Sequence, residues 1–215
     1  MSNILKNKIY DISVEIGKEH VDFPGDTEYD RNLILNSEDS FCNLSKIEMS
    51  CHTGTHLDVP YHFYTKGKTL NHYKVEDFIF HVHVIEIMNP NAITVEDVAW
   101  DRVKPGDGVL FKTRNSRDGL VKSAKYVPDY VYLTPEAAKK ACDIGTSVIG
   151  IDYITIEKSD DDKFPSHLEV LGNEVIIVEA INLESIPEGE YTLMCLPLKF
   201  NGAEASPVRA ILIEV

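Results

Sequence analysis

The side chains best suited to chemistry lie close together in residues 51–63, which read Cys-His-Thr-Gly-Thr-His-Leu-Asp-Val-Pro-Tyr-His-Phe. This stretch contains His52, His56 and His62, three of the eight histidines of the chain, together with Asp58. Neutral imidazoles and a carboxylate are typical ligands of a divalent hydrolytic metal, and no thiolate pair indicates a closed structural zinc site. The alternative is that these are ordinary surface or core histidines, because pairs four residues apart also arise by chance.

His52 and His56 can bind one ion only if the chain folds back between them. On an extended strand they would lie roughly 13 Å apart, whereas each ligand of an ion lies about 2.1 Å from it. The intervening Thr-Gly-Thr disfavours a helix, so we predict a tight turn at Gly54, which tolerates unusual backbone angles. His62 lies four residues beyond Asp58. The ordinary pKa of a histidine side chain is near neutrality, which suits proton transfer to and from a substrate.

The composition narrows the class of protein. The 215 residues suit one domain, 1–215, and the hydrophobic content of 43% is enough for a core. The net charge of −14 argues against nucleic acid or an anionic membrane as a partner. We expect no membrane span, because no apolar run reaches about 18 residues. The first ten residues lack a signal core and the four cysteines form no C-x-x-C pair, which favours a cytoplasmic protein with reduced thiols.

The pattern of elements predicts a mixed α/β fold without the regular alternation of a doubly wound parallel sheet. We predict strands at 8–16, 43–50, 81–87, 108–113, 147–156 and 175–181. A helix begins at Pro135, capped by Thr134, and ends at Gly145. A capping box of Ser166 and Glu169 predicts a second, shorter helix. The segments 70–78 and 94–98 are interpreted as short helices, and 114–126 and 159–163 as loops.

Two further sets of polar residues lie in predicted strands. Glu179 interrupts an apolar strand, where an unpaired carboxylate costs several kcal/mol, so it needs a salt bridge or a cation. His81 and His83 fall on one face of a strand, which indicates either a metal site or an ordinary polar face, and we favour the polar face. His167 alone would be interpreted as a surface residue.

The run His-x-Gly-Thr-His-x-Asp-x-Pro-x-His-Phe, from His52 to Phe63, resembles the signature of the metal-dependent cyclase family. That family includes bacterial kynurenine formamidases and isatin hydrolase. Every fixed position of the pattern is met, and the resemblance extends from about Ile9 to Leu212. It implies the swivelling β/β/α fold, with a central barrel-like mixed sheet, short peripheral helices, and a homodimer whose partner completes the pocket.

The resemblance also implies roles for individual residues. It implies two divalent ions, zinc or manganese, with Asp58 between them and with ligands from His52, His56, Asp58, His167 and Glu179. The residue matching His62 is the proton donor and acceptor. In the family an aromatic residue, usually Trp, precedes Pro-Gly-Asp and contacts the substrate. Here that residue is Phe23, which keeps the apolar face but lacks the indole N–H.

The implied activity is hydrolysis of a C–N amide bond in a small molecule. The metal would activate water and His62 would carry the proton to the departing nitrogen. The leading substrate is N-formylkynurenine, and the runner-up is a cyclic amide such as isatin, with Phe23 and residues 114–126 setting the choice. The rival interpretation is a non-catalytic metal-binding module. A serine hydrolase is disfavoured because the chain has no G-x-S-x-G elbow.

Overall fold

The computed structural model describes residues 7–215, and its largest element is one curled, mixed sheet of nine strands. The strands of the chain are β1 (Ile9–Asp11), β2 (Asp30–Leu35), β3 (Leu44–Glu48), β4 (His56–Asp58), β5 (Ile79–Glu86), β6 (Ala92–Ile93), β7 (Gly108–Lys112), β8 (Tyr132–Leu133), β9 (Val148–Ile151), β10 (Ile176–Glu179), β11 (Gly189–Met194), β12 (Ala205–Pro207) and β13 (Ile211–Glu214). The α-helices are α1 (Arg114–Arg117), α2 (Pro135–Ile144) and α3 (Pro165–Gly172). Short 3-10 helices occupy Pro60–His62, Leu70–His72, Val75–Phe78, Val95–Asp97, Trp100–Arg102 and Leu120–Lys122.

The strand order in the large sheet is β1-β13-β11-β5-β7-β9-β10-β4-β12. The neighbours β5, β7, β9 and β10 are parallel, and the remaining pairs are antiparallel. The strands β2 and β3 form a separate hairpin, and β6 pairs with β8. This arrangement agrees with the predicted mixed α/β class, and no helix within residues 7–215 is long and apolar enough to cross a membrane.

Both faces of β7, β9 and β10 are buried, which explains their largely apolar sequences. On β7, Leu110 packs into one hydrophobic cluster, whereas Val109 and Phe111 pack into a second cluster beneath α2 and α3. The first cluster joins Leu57 of β4 to Leu212 of β13, which lie near opposite ends of the strand order. The sheet therefore curls until its two ends share one core.

The predicted boundaries of helix α2 are confirmed, because the residues that specify them lie at the two ends of the helix itself. The Thr134 hydroxyl accepts a hydrogen bond from the Ala137 N–H, Pro135 occupies the first turn, and Gly145 adopts φ +88° at the end. Several other boundaries differ from prediction. The strand predicted at 8–16 is paired only at Ile9–Asp11, with a single further bridge at Ser13.

The predicted loop at 114–126 is wrong in part, because α1 and the 3-10 helix Leu120–Lys122 lie within it. A buried carboxylate stabilises α1: Asp152 accepts hydrogen bonds from the Thr113 and Ser116 N–H groups, at 2.7 and 3.0 Å. The segment 70–78 forms two 3-10 helices rather than one helix. The contact of Asp152 with α1 joins residues distant in sequence, so the local pattern did not reveal that helix.

The predicted capping box at the start of α3 is also wrong. Phe164, with φ +51°, precedes the helix, and the Ser166 hydroxyl donates to the Leu133 carbonyl instead of capping. The carboxylate of Glu157 accepts the N–H groups of Ser166 and His167, at 3.3 and 3.1 Å. A charged acceptor from the preceding segment therefore takes the place of the serine hydroxyl.

Candidate active site

The turn between His52 and His56 brings their imidazoles together as predicted. Gly54 adopts φ +65°, and the two ring centroids lie 5.0 Å apart. A Cβ atom at this glycine would lie 2.8 Å from Ile16, so the position requires glycine for space as well as for backbone angle. This turn ends where β4 begins, and it directs both imidazoles towards the same point.

The pairing of β4 with β10 joins two parts of the sequence that are far apart in the chain. The register places His56 opposite Glu179, and His56 Nε2 lies 3.2 Å from a Glu179 carboxylate oxygen. The other ring nitrogen of His56 donates to the Gly54 carbonyl at 2.8 Å. That hydrogen bond fixes the tautomer, so Nε2 carries the free lone pair on the inner side.

Asp58 lies at the centre of the group and is fully buried. Its carboxylate oxygens lie 3.0 Å from His52 Nδ1, 3.7 Å from His56 Nε2 and 4.0 Å from His62 Nε2. The second ring nitrogen of His52 lies 3.6 Å from the Glu204 carboxylate. One carboxylate therefore faces three imidazoles and would be able to share a metal ion with them.

Helix α3 contributes His167 from the other side. Its Nε2 lies 3.4 Å from the Glu179 carboxylate, and its Nδ1 lies 3.0 Å from Glu157. Glu157 thus holds both the backbone and the ring of His167. Glu179 also accepts the Ile156 N–H at 2.6 Å. Glu179, the carboxylate for which the sequence predicts a partner, has the imidazoles of His56 and His167 beside it.

His62 ends the 3-10 helix Pro60–His62 and borders the open side of the group. Its side chain is 27% exposed, and its ring lies 4.3 Å from that of His52, centroid to centroid. It is therefore the member of the group best placed to reach both solvent and a bound small molecule. Its role as proton donor and acceptor is a proposal that this position supports.

The ionisation of the group follows from its burial and its opposing charges. Burial would lower the pKa of His52, but the charge of Asp58 and the contact with it raise that pKa to about 11. Burial opposes an ionised Asp58, yet the neighbouring His52 holds its pKa far below the usual value. Burial is likewise outweighed at His167, where the hydrogen bond to Glu157 helps to raise the pKa to about 9. The buried, ionised carboxylates are thus stabilised by positive charge beside them.

The donor set fits a divalent metal ion. Among the described residues, His56 Nε2 and both oxygens of Asp58 are buried without an aligned hydrogen-bond partner, a costly state that a cation would relieve. One ligand atom each from His52, His56 and Asp58 lies within 4.8 Å of the other two, and the same holds for Asp58, His62 and His167. Imidazole and carboxylate together suit zinc or manganese.

A cavity of about 190 Å³ opens over the group. Its apolar wall includes Phe23, together with Phe63 and Phe164. Residues 114–126 do not line this cavity; Tyr126 only packs behind Phe23, with ring centroids 6.0 Å apart. Contact of Phe23 with a substrate remains a prediction.

Sequence reasoning missed Glu157, Glu204, Phe63 and Phe164 as members or neighbours of the site. Glu157 carried a usable signal, because it ends the apolar run Tyr-Ile-Thr-Ile-Glu and is almost fully buried. The argument that singled out Glu179 would therefore have found it. Glu204 carried no such signal, since it lies in a polar segment before β12.

This chain is similar in sequence and in structure to several known proteins. Residues 10–158 match the family model described as "Putative cyclase". Kynurenine formamidase of Salinibacter ruber is 30% identical over 208 residues, which cover 95% of this chain and 96% of the relative. A structure described as a potential metal-dependent hydrolase with cyclase activity superposes with a TM-score of 0.82 at 29% identity, covering 97% and 99% of the two chains. Isatin hydrolase A of Labrenzia aggregata shares the fold, with a TM-score of 0.82 at 20% identity, over 96% and 93%.

The chain belongs to the putative cyclase family. It is an enzyme of the amidohydrolase class within that family.

Proposed function

We propose that this enzyme is a metal-dependent arylformamidase that hydrolyses N-formylkynurenine to kynurenine and formate. The observation that carries the proposal is the buried histidine and carboxylate cluster, with unsatisfied ligand atoms, at the floor of a cavity with aromatic walls. The similarity to kynurenine formamidases over almost the whole chain supports the choice of substrate.

The ligands in this proposal come from three parts of the fold: the turn and strand β4, helix α3, and strand β10. They are His52, His56, Asp58, His167 and Glu179. A divalent ion bound there would supply Lewis acidity, polarising a carbonyl and lowering the pKa of water. We expect two ions per chain, a number that metal analysis would measure, with Asp58 as the ligand at the centre of the group.

His62 moves the proton in this proposal. Burial lowers its pKa, an effect that the charge of Asp58 only partly offsets, so its ring can accept a proton from water and give it to the departing amine nitrogen. Phe23, Phe63 and Phe164 would hold the arene of the substrate against the apolar wall and keep bulk water away from the amide.

The second candidate function is ring opening of a cyclic amide such as isatin. The observation that favours it is Phe23, which offers the same apolar face as Trp but no indole N–H. Isatin is a smaller and more rigid molecule than N-formylkynurenine, which carries a flexible amino-acid side chain. The cavity of about 190 Å³ is small for a ligand site and therefore suits the smaller substrate.

The test combines metal analysis with two substrates. Purified enzyme is analysed for metal per chain, and hydrolysis of N-formylkynurenine and of isatin is followed with and without chelator, then after return of zinc or manganese. The proposal expects bound metal and chelator-sensitive turnover of N-formylkynurenine, restored by metal. His56→Asn should abolish that turnover, whereas His72→Asn, a change at an exposed histidine outside the cavity, should not.

Each other outcome refutes a defined part of the proposal. Turnover of isatin alone assigns the enzyme to cyclic amides. Bound metal with turnover of neither substrate refutes both substrate assignments and favours a non-catalytic metal-binding module or a different amide. Absence of bound metal after reconstitution refutes metal dependence.

A further inference from the structure

A second group of histidine and carboxylate side chains lies on strands remote from the cavity. His81 and His83 belong to β5, which is separated from β10 by β7 and β9. None of the residues of this group lines the cavity over His56. Neither the proposed arylformamidase activity nor its metal centre makes use of them.

Side chains alternate between the two faces of β5, so the imidazoles of His81 and His83 lie on the same side of the sheet. Phe80, Val82 and Val84 are buried in the core, so His81 and His83 between them project outwards. Their side chains are 41% and 12% exposed. The ring centroids lie 5.4 Å apart with the planes almost perpendicular.

The neighbouring strand brings a carboxylate between the two rings. In the parallel pairing Val82 lies opposite Gly108, so Asp107, the residue just before β7, lies beside His81. One oxygen of Asp107 is 3.0 Å from His81 Nδ1, and the other is 3.0 Å from His83 Nε2. The Lys104 N–H also donates to Asp107 at 3.0 Å, which fixes the carboxylate within its turn.

These distances are close to those of a metal site. One ligand atom from each of His81, His83 and Asp107 lies within 4.8 Å of the other two. Two ligands of one zinc ion lie at most about 4.2 Å apart. Small rotations of the two imidazoles would therefore close the site without a change in the backbone of either strand.

A further carboxylate orients one of the rings. On the other side of β5, β11 places Glu190 opposite His83 in register, and its carboxylate lies 3.3 Å from His81 Nε2. Histidines that bind metals commonly donate their other ring N–H to a carboxylate, which makes the coordinating nitrogen more basic. Glu190 thus leaves His81 Nδ1 directed at Asp107, as a ligand nitrogen would be.

We propose that His81, His83 and Asp107 form a second metal site, selective for a borderline ion such as Zn²⁺, with water completing the coordination. Two imidazoles and one carboxylate favour zinc over magnesium or calcium, which prefer oxygen ligands. The ion would tie β5 to the turn that precedes β7 and would stabilise the centre of the sheet. The site is independent of the proposed catalytic function.

The test is zinc binding to the metal-free full-length chain, measured by titration calorimetry and by metal analysis after desalting. His52→Asn/His56→Asn/His167→Asn removes all three imidazole ligands proposed for the candidate catalytic centre and disrupts both of its candidate ligand groups. In this background one zinc per chain should remain. Adding His81→Asn, a change at a partly exposed position, should weaken that remaining binding at least tenfold. Zinc should also raise the melting temperature of the background variant but not of the variant that carries His81→Asn.

His72→Asn in the same background is the matched control, because His72 is an exposed histidine outside the group. It should leave zinc binding and the zinc-induced rise in melting temperature unchanged. The proposal is overturned if the background variant binds no zinc, or if His81→Asn leaves its zinc affinity and the zinc-induced rise in melting temperature unchanged. Either result would make the group a hydrogen-bonded polar face. In the otherwise wild-type chain, His81→Asn should leave amide hydrolysis at saturating metal unchanged.

Discussion

The carboxylate of Glu157 holds His167 at two points, accepting its backbone N–H at 3.1 Å and lying 3.0 Å from its Nδ1. The ring nitrogen that remains, Nε2, lies 3.4 Å from Glu179. One side chain therefore both caps α3 and aims the imidazole at the site. Glu157 lines no part of the cavity over the site and acts through His167, so it is a positioning residue.

Glu157→Gln should lower metal affinity because a neutral amide orients the imidazole less firmly and makes its Nε2 less basic. Loss of such a supporting contact typically costs 10- to 100-fold in metal affinity. Equilibrium dialysis against zinc or manganese would measure this, and activity at saturating metal should fall less than affinity. A purely structural role would lower stability and leave the metal affinity of the folded protein unchanged.

Glu169→Gln is the matched control for this variant. It makes the same chemical change on α3, but the Glu169 carboxylate accepts a hydrogen bond from the Asn173 side chain, at the end of the helix away from His167. Its metal affinity should equal that of the wild type. An equal loss in both variants would show that the charge of the helix, and not the contact with His167, sets the affinity.

His62→Ala should reduce turnover by roughly 10²- to 10⁴-fold while leaving the metal content unchanged, because it removes the proton carrier and not a ligand. Steady-state kinetics and metal analysis on the same preparation would measure both. Tyr61→Phe, in the same 3-10 helix and outside the cavity, should leave both unchanged. Loss of metal from His62→Ala would instead identify His62 as a ligand, as its distances to Asp58 and His167 allow.

Phe23→Ala should weaken substrate binding, because it removes an aromatic wall of the cavity and the edge contact with Tyr126. An aromatic contact contributes about 0.5–1.5 kcal/mol, so KM should rise by roughly 2- to 10-fold with kcat changed less. Steady-state kinetics with N-formylkynurenine and isatin would measure it. Phe200→Ala, outside the cavity, is the control, and an unchanged KM in Phe23→Ala would exclude substrate contact by this ring.

The sequence identified the part of the site that is local in the chain. His52, His56, Asp58 and His62 fall within eleven residues of one another, and the turn at Gly54 follows from residue types alone. Helix α2 was predictable for the same reason, since its cap, its first proline and its terminal glycine are adjacent to it.

The remaining half of the site depends on pairing between distant segments. Nothing local to Glu179 specifies that β10 lies against β4, so its partner His56 could not be derived from periodicity. The resemblance to a known family, and not the pattern of residues, predicts His167 as a metal ligand. The capping prediction failed because Glu157 reaches α3 from outside the helix and competes with the Ser166 hydroxyl.

The hairpin of β2 and β3 leads to a prediction about assembly. A two-stranded hairpin is marginally stable alone, and this one exposes large apolar side chains that a second copy of the chain could cover: Leu33, Ile34, Phe41, Leu44 and Ile47. We expect a homodimer, with twice the mass of one chain in light scattering after gel filtration. Ile34→Ser/Phe41→Ser should shift it to monomer, and Val75→Ser, an exposed apolar control elsewhere, should not. A monomeric wild type would refute this expectation.

Asp97 should make the stability of the fold depend on pH. Its carboxylate accepts hydrogen bonds from the Thr94 N–H and hydroxyl, each at 2.8 Å. Burial acts against its charge, but these hydrogen bonds outweigh burial and hold the pKa below the usual 3.8. Because this pKa is lower in the folded than in the unfolded chain, the ionised group contributes stability above about pH 4, which is lost as the pH falls through the folded value.

Asp97→Ala should therefore lower the free energy of unfolding by about 1 kcal/mol at pH 7, the usual cost of losing a helix cap. The difference from wild type should shrink as the pH falls from about 4 towards the lowered pKa of the folded state, because protonation removes the charge that the hydrogen bonds stabilise. Urea unfolding at pH 7, 5 and 3 would measure it. Asp101→Ala is the control, because Asp101 is exposed and no hydrogen bond or ion pair joins its side chain to the described residues. A difference between wild type and Asp97→Ala that stays constant from pH 7 to pH 3 would show that the contribution of Asp97 does not depend on its charge.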